Sequence, residues 1–313
     1  MEIAILLLFA VAYAANGSQS QCDSDARVEM WNKVSIPRVG FGTAAMGGQT
    51  TIDSVTMAVE NGFRFFDGAE ATEWYDDYAL GTALNAAIDN KIVTRQSLFI
   101  ASKVHPKNLG SKNTEKAILH ILDNLNVKYL DLLLLHYPVC GHWIPQCKGI
   151  EVEGTWKDSW RVLEDYYNKG IIKAIGVSNF EYDQMQELLE FANVKPHMVQ
   201  NWMDPFNQDT DVRRLCDEND VLYTSYSTLG GQWEHIKGEN LVKTSPTIQK
   251  IAKKYNTSVQ QLVLKWALQK GVIVIPRSST LKNIRKNAEL LNYDINAPTI
   301  EEQDMQLIDA LEP

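Results

Sequence analysis

Eight short apolar runs recur along this chain, each followed by a stretch whose apolar residues fall at helical spacing. The runs cover residues 39–42, 63–67, 98–104, 129–135, 172–178, 198–203, 221–227 and 272–276. The helical stretches cover 52–61, 79–90, 114–124, 155–169, 182–191, 211–219, 259–270 and 281–290. Runs such as LDLLLL and VIVIP lack the period-two alternation of a half-exposed strand, so they read as parallel strands covered on both faces. Thr114 is expected to open one helix, and Gly62 and Gly170 to end two others in left-handed turns. Eight βα units in 313 residues suit a single α/β domain, a (β/α)8 TIM barrel, better than an open doubly wound sheet. No G-x-G-x-x-G follows the first run, which removes the main sequence support for an open dinucleotide-binding sheet.

The N-terminus is expected to lie outside that barrel. Residues 3–15 are an almost unbroken apolar run ending in Ala12-Tyr13-Ala14, a small-x-small pattern. As a helix the run spans ~20 Å, short of the ~30 Å hydrocarbon core of a bilayer. Residues 1–15 therefore read as a cleaved secretory signal peptide, although Glu2 is the only charge before the run. A signal anchor or a buried N-terminal helix is the alternative. An N-terminal segment (16–33) and the barrel (34–313) follow, and a secreted or lumenal protein is expected. Asn16-Gly-Ser18 and Asn256-Thr-Ser258 are glycosylation acceptor triplets.

Four cysteines (Cys22, Cys140, Cys147 and Cys216) are too few to build the fold, so apolar burial must do so. Cys140 and Cys147 share one loop-like stretch, CGHWIPQC, and can close a short disulfide ring; four free buried thiols are the alternative. His142 between them leaves an incomplete ligand set, so no metal site is expected. With 30 Lys+Arg against 39 Asp+Glu, the net charge of −9 argues against a general affinity for nucleic acid or for anionic membrane. A monomer acting on a small molecule is expected.

The active site of such a barrel is built at the carboxyl ends of its strands. Those ends carry Asp67, Lys103, His136, Ser178 with Asn179, Gln200, Tyr226 and Arg277, each closing a nearly all-apolar run. One such residue would be a satisfied polar group at the rim; a polar residue at corresponding places in successive units indicates a site. A Lys beside a carboxylate can lower the pKa of a neighbouring phenol, and a neutral His can orient a carbonyl. The stretch after Asp67 offers Tyr75 and Tyr78 as the phenol.

At these residues the chain resembles the aldo-keto reductase family, over about residues 34–291. The segments that carry the resemblance are VGFGTAAM, GFRFFDGAEATEWYDDYALGTAL, LFIASKVHP, YLDLLLLHYP, GIIKAIGVSNF, VQNWMDPF, YTSYSTLG and VIVIPRSSTLKNIRKN. The resemblance implies an NAD(P)-dependent carbonyl reductase with a catalytic tetrad of Asp67, Tyr75, Lys103 and His136. The family's common spacing would put the tyrosine at position 72, which is Thr72 here; Tyr75 matches a longer form of this loop and is favoured over Tyr78.

The resemblance also implies the cofactor contacts. Ser178, Asn179 and Gln200 match residues that bind the carboxamide, and Tyr226 the ring stacked on the nicotinamide. Ser227 and Leu229 match the pyrophosphate loop. Arg277 and Ser278 match a grip on the 2′-phosphate, and Asn287 an adenine-side Asn, so NADPH is expected. Asn283 stands where many members carry a second phosphate-binding Arg, a loss that Lys282 can offset; Lys286 replaces a common Glu. Ala44 stands where many members place a pocket Trp, while Tyr137, Trp143, Trp202, Phe206 and Trp233 can supply an aromatic surface for a bulky hydrophobic or steroid-like carbonyl. The alternative is a nucleotide-binding redox sensor, or a catalytically silent member, of the same fold.

Overall fold

The computed structural model describes residues 25–297 and 299–313. The signal peptide, Asn16 and Cys22 lie outside the described residues. The described chain opens with an antiparallel hairpin, β1 (Arg27–Glu29) and β2 (Ser35–Pro37). Eight parallel strands follow: β3 (Phe41–Gly42), β4 (Phe65–Asp67), β5 (Phe99–Val104), β6 (Leu132–Leu135), β7 (Ile175–Ser178), β8 (Met198–Trp202), β9 (Leu222–Tyr226) and β10 (Ile273–Val274). Each pairs with its successor in chain order. A parallel bridge between Val39 and Val274 joins the two ends, with Gly40 N donating to Val274 O at 2.8 Å and Val274 N to Arg38 O at 3.1 Å. The sheet is therefore closed, as the eightfold alternation predicts.

The missing alternation has a direct cause: both faces of each strand are apolar, but they enter different cores. Phe65, Phe99, Ala101, Leu132, Leu134, Met198 and Ile273 fill the barrel interior, joined by Met30 and Ile36 at the hairpin end. Their chain neighbours Phe66, Ile100, Leu133, Leu135 and Val199 face outward into the larger layer under the helices.

Eight predicted helices appear as α1 (Gly48–Glu60), α2 (Asp77–Asp89), α3 (Ser111–Leu125), α4 (Trp156–Asn168), α5 (Tyr182–Phe191), α6 (Thr210–Glu218), α10 (Val259–Gln269) and α11 (Leu281–Ala288). Gly62 (φ 94°) and Gly170 (φ 71°) adopt the expected left-handed turns. Thr114 does not open α3. Gly110 takes the N-cap position, and Thr114 sits in the first turn, its hydroxyl bonding Asn108 O at 2.9 Å. At Gly81 a Cβ would lie 2.6 Å from Leu125 Cα, so this close approach of α2 to α3 requires glycine.

Four helices are additional: α7 (Gly231–Ile236), α8 (Leu241–Thr244), α9 (Pro246–Lys254) and α12 (Glu302–Asp309). The first two are too short to register as a helical period, and α12 buries only Asp304, Met305 and Ile308.

Candidate active site

Strand parity builds the site. Asp67, Lys103, His136, Gln200 and Arg277 each lie an even number of residues beyond an interior residue of their own strand: Phe65, Phe99, Leu132, Met198 and Ile273. All five therefore reach the same end of the barrel axis. Asp67 and Lys103 are each 1% exposed and joined by a 2.7 Å ion pair. Lys103 Nζ also donates to Gly68 O at 2.8 Å, and Asp67 Oδ1 accepts from Gln200 Nε2 at 2.8 Å. Both buried charges are thus paired and hydrogen-bonded, as stability of such a pair demands.

Tyr75 stands over this pair. Its ring centroid lies 4.8 Å from Lys103 Nζ and 5.9 Å from the His136 ring. Tyr78, by contrast, is 70% exposed on α2. Burial holds the Tyr75 hydroxyl well above its usual pKa, reinforced by the negative charge of Asp67. Lys103, expected to lower this pKa, is itself engaged by Asp67 and Gly68 O, and the net displacement of the phenol is upward. Burial, with Lys103 nearby, holds His136 well below its usual pKa, so its imidazole is neutral. His136 Nδ1 is buried and has no hydrogen-bond partner among the described residues.

Asp77 is a second buried carboxylate, which sequence reasoning missed. Its oxygens accept from Ala69 N at 3.0 Å and Ser102 Oγ at 2.7 Å, and burial pushes its pKa up to about 6. It opens α2, where an acidic residue reads as an ordinary helix-start signal.

The longer loop between Asp67 and Tyr75 is anchored on three sides. Glu70 accepts from His105 N at 3.0 Å and Asn108 Nδ2 at 2.7 Å, and Glu73 lies 2.8 Å from His105 Nε2. Trp74 O accepts from Ala45 N at 2.7 Å. Gln146 Nε2 donates to Thr72 Oγ1 at 2.7 Å and Glu73 Oε2 at 2.6 Å. Gln146 lies within the expected ring, for Cys140 and Cys147 form a disulfide. Cys216 carries a free, buried thiol whose pKa burial raises. Among the described residues no group of three His, Cys, Asp or Glu side chains is placed to hold a metal ion.

The expected carboxamide contacts form one network. Ser178 Oγ donates to Gln200 O at 2.6 Å, Asn179 Nδ2 donates to His136 O at 2.9 Å, and Tyr226 Oη donates to Asn179 Oδ1 at 2.6 Å. A groove of about 450 Å³ runs outward from Asp67 and Tyr75 past Tyr226, Ser227 and Leu229 to Arg277. Beyond it, Ser278 and Asn287 are buried and Lys282 is exposed at the start of α11.

The five expected pocket aromatics fall into two groups. Tyr137 stacks on His136 at 5.0 Å, and the exposed Trp143 meets Tyr137 at 6.4 Å. Trp202, Phe206 and Trp233 gather round Asp204: both indole N–H groups and Phe206 N donate to its buried carboxylate, at 2.9, 3.1 and 2.8 Å. Trp233 is itself buried. The first group gains a member the sequence did not single out. Trp74 meets His136 edge-on at 5.9 Å and Tyr137 at 6.4 Å. Only its place in the lengthened loop, next to Tyr75, hinted at this.

A family model described as the aldo/keto reductase family matches residues 38–312. The glyoxal reductase of Bacillus subtilis is 32% identical over 91% of this chain and 92% of its own. The NADPH-dependent D-xylose reductase of Meyerozyma guilliermondii is 31% identical over 85% of this chain and 90% of its own. The crystal structure of an aldo-keto reductase from the silkworm Bombyx mori superposes with a TM-score of 0.81 at 25% identity, covering 92% of this chain and 88% of that one.

Proposed function

The chain belongs to the aldo/keto reductase family and is an NAD(P)-dependent oxidoreductase, and from that premise we propose that it reduces a bulky hydrophobic carbonyl compound with NADPH. The observation that carries this reading is the meeting of Tyr75, His136 and the Asp67–Lys103 pair at one end of the groove. The groove suits an elongated dinucleotide, and next to Tyr75 on its wall the buried Nδ1 of His136 has no hydrogen-bond partner among the described residues. Ser178, Asn179 and Gln200 would hold the carboxamide, Tyr226 the nicotinamide ring, and Ser227 and Leu229 the pyrophosphate. Arg277, Ser278 and Lys282 would hold the 2′-phosphate, Arg277 through paired hydrogen bonds, with Asn287 at the adenine.

When bound, the reduced nicotinamide supplies a hydride to the carbonyl carbon. Tyr75 then donates its proton to the carbonyl oxygen as negative charge develops there. A phenol held above its usual pKa stays protonated at neutral pH, as a donor must be. Neutral His136 orients the same oxygen by hydrogen bonding, and Lys103 stabilises the charge left on Tyr75 after transfer. Trp74, Tyr137 and Trp143 give the substrate an apolar wall beside His136. The disulfide accords with folding in an oxidising compartment, and so with the secretory route read from the N-terminus.

The test is NADPH oxidation with a panel of aldehydes and ketosteroids, comparing wild type with Tyr75→Phe. Loss of a general acid is expected to lower kcat by about 100-fold or more. Tight NADPH binding without turnover on any carbonyl would favour the redox-sensor reading instead.

A further inference from the structure

We infer that Gln146, fixed inside the Cys140–Cys147 ring, is a positioning residue for Tyr75, so that proton donation depends on the closed ring. The inference rests on the reading of Tyr75 as proton donor.

Residues 71–75 form one tight turn, with Trp74 N and Tyr75 N both donating to Ala71 O, at 2.9 and 2.8 Å. A shift in the middle of that turn, at Thr72 or Glu73, therefore moves Tyr75. Gln146 holds both middle residues at once through its amide nitrogen, and its amide oxygen is engaged by Lys107 Nζ. Both ends of the Gln146 side chain are thus committed, which fixes which end faces Glu73.

Gln146 would be a poor anchor on an open loop. Its segment is exposed at His142, Trp143 and Pro145, and Ile144 is the one buried side chain among them. Two features stiffen it: the disulfide, which closes a ring across a sequence separation of 7, and a 3-10 turn over Pro145–Cys147 that contains Gln146 itself. Cys147 is buried, so the bond ties the turn to the body of the protein one residue beyond Gln146. The chain of restraint runs from the disulfide through Gln146 to Glu73, and along the turn to Tyr75.

Opening the ring needs a reductant. Dithiothreitol transfers two electrons and two protons to the Cys140–Cys147 bond, yielding two thiols and the cyclic disulfide of the reagent.

The test uses the full chain and 4-nitrobenzaldehyde as carbonyl. A misplacement of about 1 Å in a reacting group can cost on the order of 100-fold, and Gln146→Ala, a partial loosening, is expected to lower kcat about tenfold. NADPH affinity, read by fluorescence, should stay within about twofold, which separates positioning from general unfolding. Wild type treated with dithiothreitol should lose kcat to a similar extent. The exchange Glu73→Gln with Gln146→Glu reverses donor and acceptor and keeps Lys107 paired, so the double variant should recover most of the loss. A Gln146→Ala variant with wild-type kcat would overturn the inference. So would a reduced wild type that keeps its kcat while Gln146→Ala loses it, or a double variant no better than Gln146→Ala. Equal rates in wild type and Tyr75→Phe would instead overturn the proton-donor reading beneath it.

Discussion

Lys103 keeps its ammonium 2.7 Å from Asp67 and presents itself to the face of the Tyr75 ring, 4.8 Å from the centroid. Burial, reinforced by the charge of Asp67, sets the net direction in which the Tyr75 phenol is displaced, which is upward. The pH dependence follows with a definite sign. Tyr75 is held above its usual range and His136 below its own, so neither changes charge near neutrality. The kcat for carbonyl reduction should be flat between about pH 7 and 9, because the acid is protonated throughout. Alcohol oxidation needs the phenolate and should rise with pH across the same range. Steady-state rates in both directions check this; a reduction rate that falls in this window would place the Tyr75 pKa in or below its ordinary range.

Trp74 should select among substrates. Its indole meets His136 and Tyr137, so it borders the space where a carbonyl would bind. An aromatic contact is worth about 0.5–1.5 kcal/mol beyond area burial. Trp74→Ala is therefore expected to lower kcat/KM for an aromatic aldehyde by about tenfold, while glyceraldehyde stays within about twofold. Equal losses on both would point to a general effect on Tyr75 next door.

The barrel and its polar rim were legible in the sequence for one physical reason. An apolar strand that ends in Asp, Lys or His breaks its own pattern, and strand parity then directs those residues to one end of the axis. Residues outside the strands lacked that signal. Asp77 looks like a helix start, and Trp74 like any loop aromatic, until the fold brings them to Ser102 and His136. The net upward displacement of the Tyr75 pKa depends on burial, which the sequence does not display at a loop tyrosine. Trp202, Phe206 and Trp233 read as pocket lining because sequence marks aromaticity; their shared attachment to Asp204 depends on tertiary geometry.

Asp204 should be a stability hot spot. It is fully buried and accepts from two indole N–H groups and the Phe206 amide. An Asn in its place has one acceptor oxygen and turns an NH2 group toward a donor. Leaving a buried donor unpaired costs about 1–3 kcal/mol. Asp204→Asn should lower stability by about 2 kcal/mol in urea unfolding and change the tryptophan emission of the folded state. A change in activity without loss of stability would instead make this aromatic group part of the substrate wall.

Arg277 tests the cofactor preference. It is exposed at the outer end of the groove, whereas Ser278 and Asn287 are buried. A hydrogen bond to a charged group contributes about 1.5–3 kcal/mol. Arg277→Ala should therefore weaken NADPH binding by at least about tenfold and leave NADH nearly unchanged. Parallel losses for both would show that Arg277 does not read the 2′-phosphate.

Asp77 makes stability itself depend on pH. Its carboxyl is pushed from 3.8 to about 6 in the folded state, chiefly by burial. The folded protein therefore binds this proton more tightly than the unfolded chain does. The carboxyl costs no stability through this shift below about pH 4, and an increasing amount as pH rises to about 6 and beyond. At 1.36 kcal/mol per unit, the cost by neutral pH is on the order of 3 kcal/mol. Asp77→Asn removes the charge. Its amide oxygen can still accept from Ala69 N, and its NH2 can donate to a rotated Ser102 hydroxyl. The variant should match wild type near pH 4 and become progressively more stable than it up to about pH 7, by denaturant midpoints measured in parallel. A constant difference between the two proteins across that range would mean that Asp77 carries the same charge folded and unfolded.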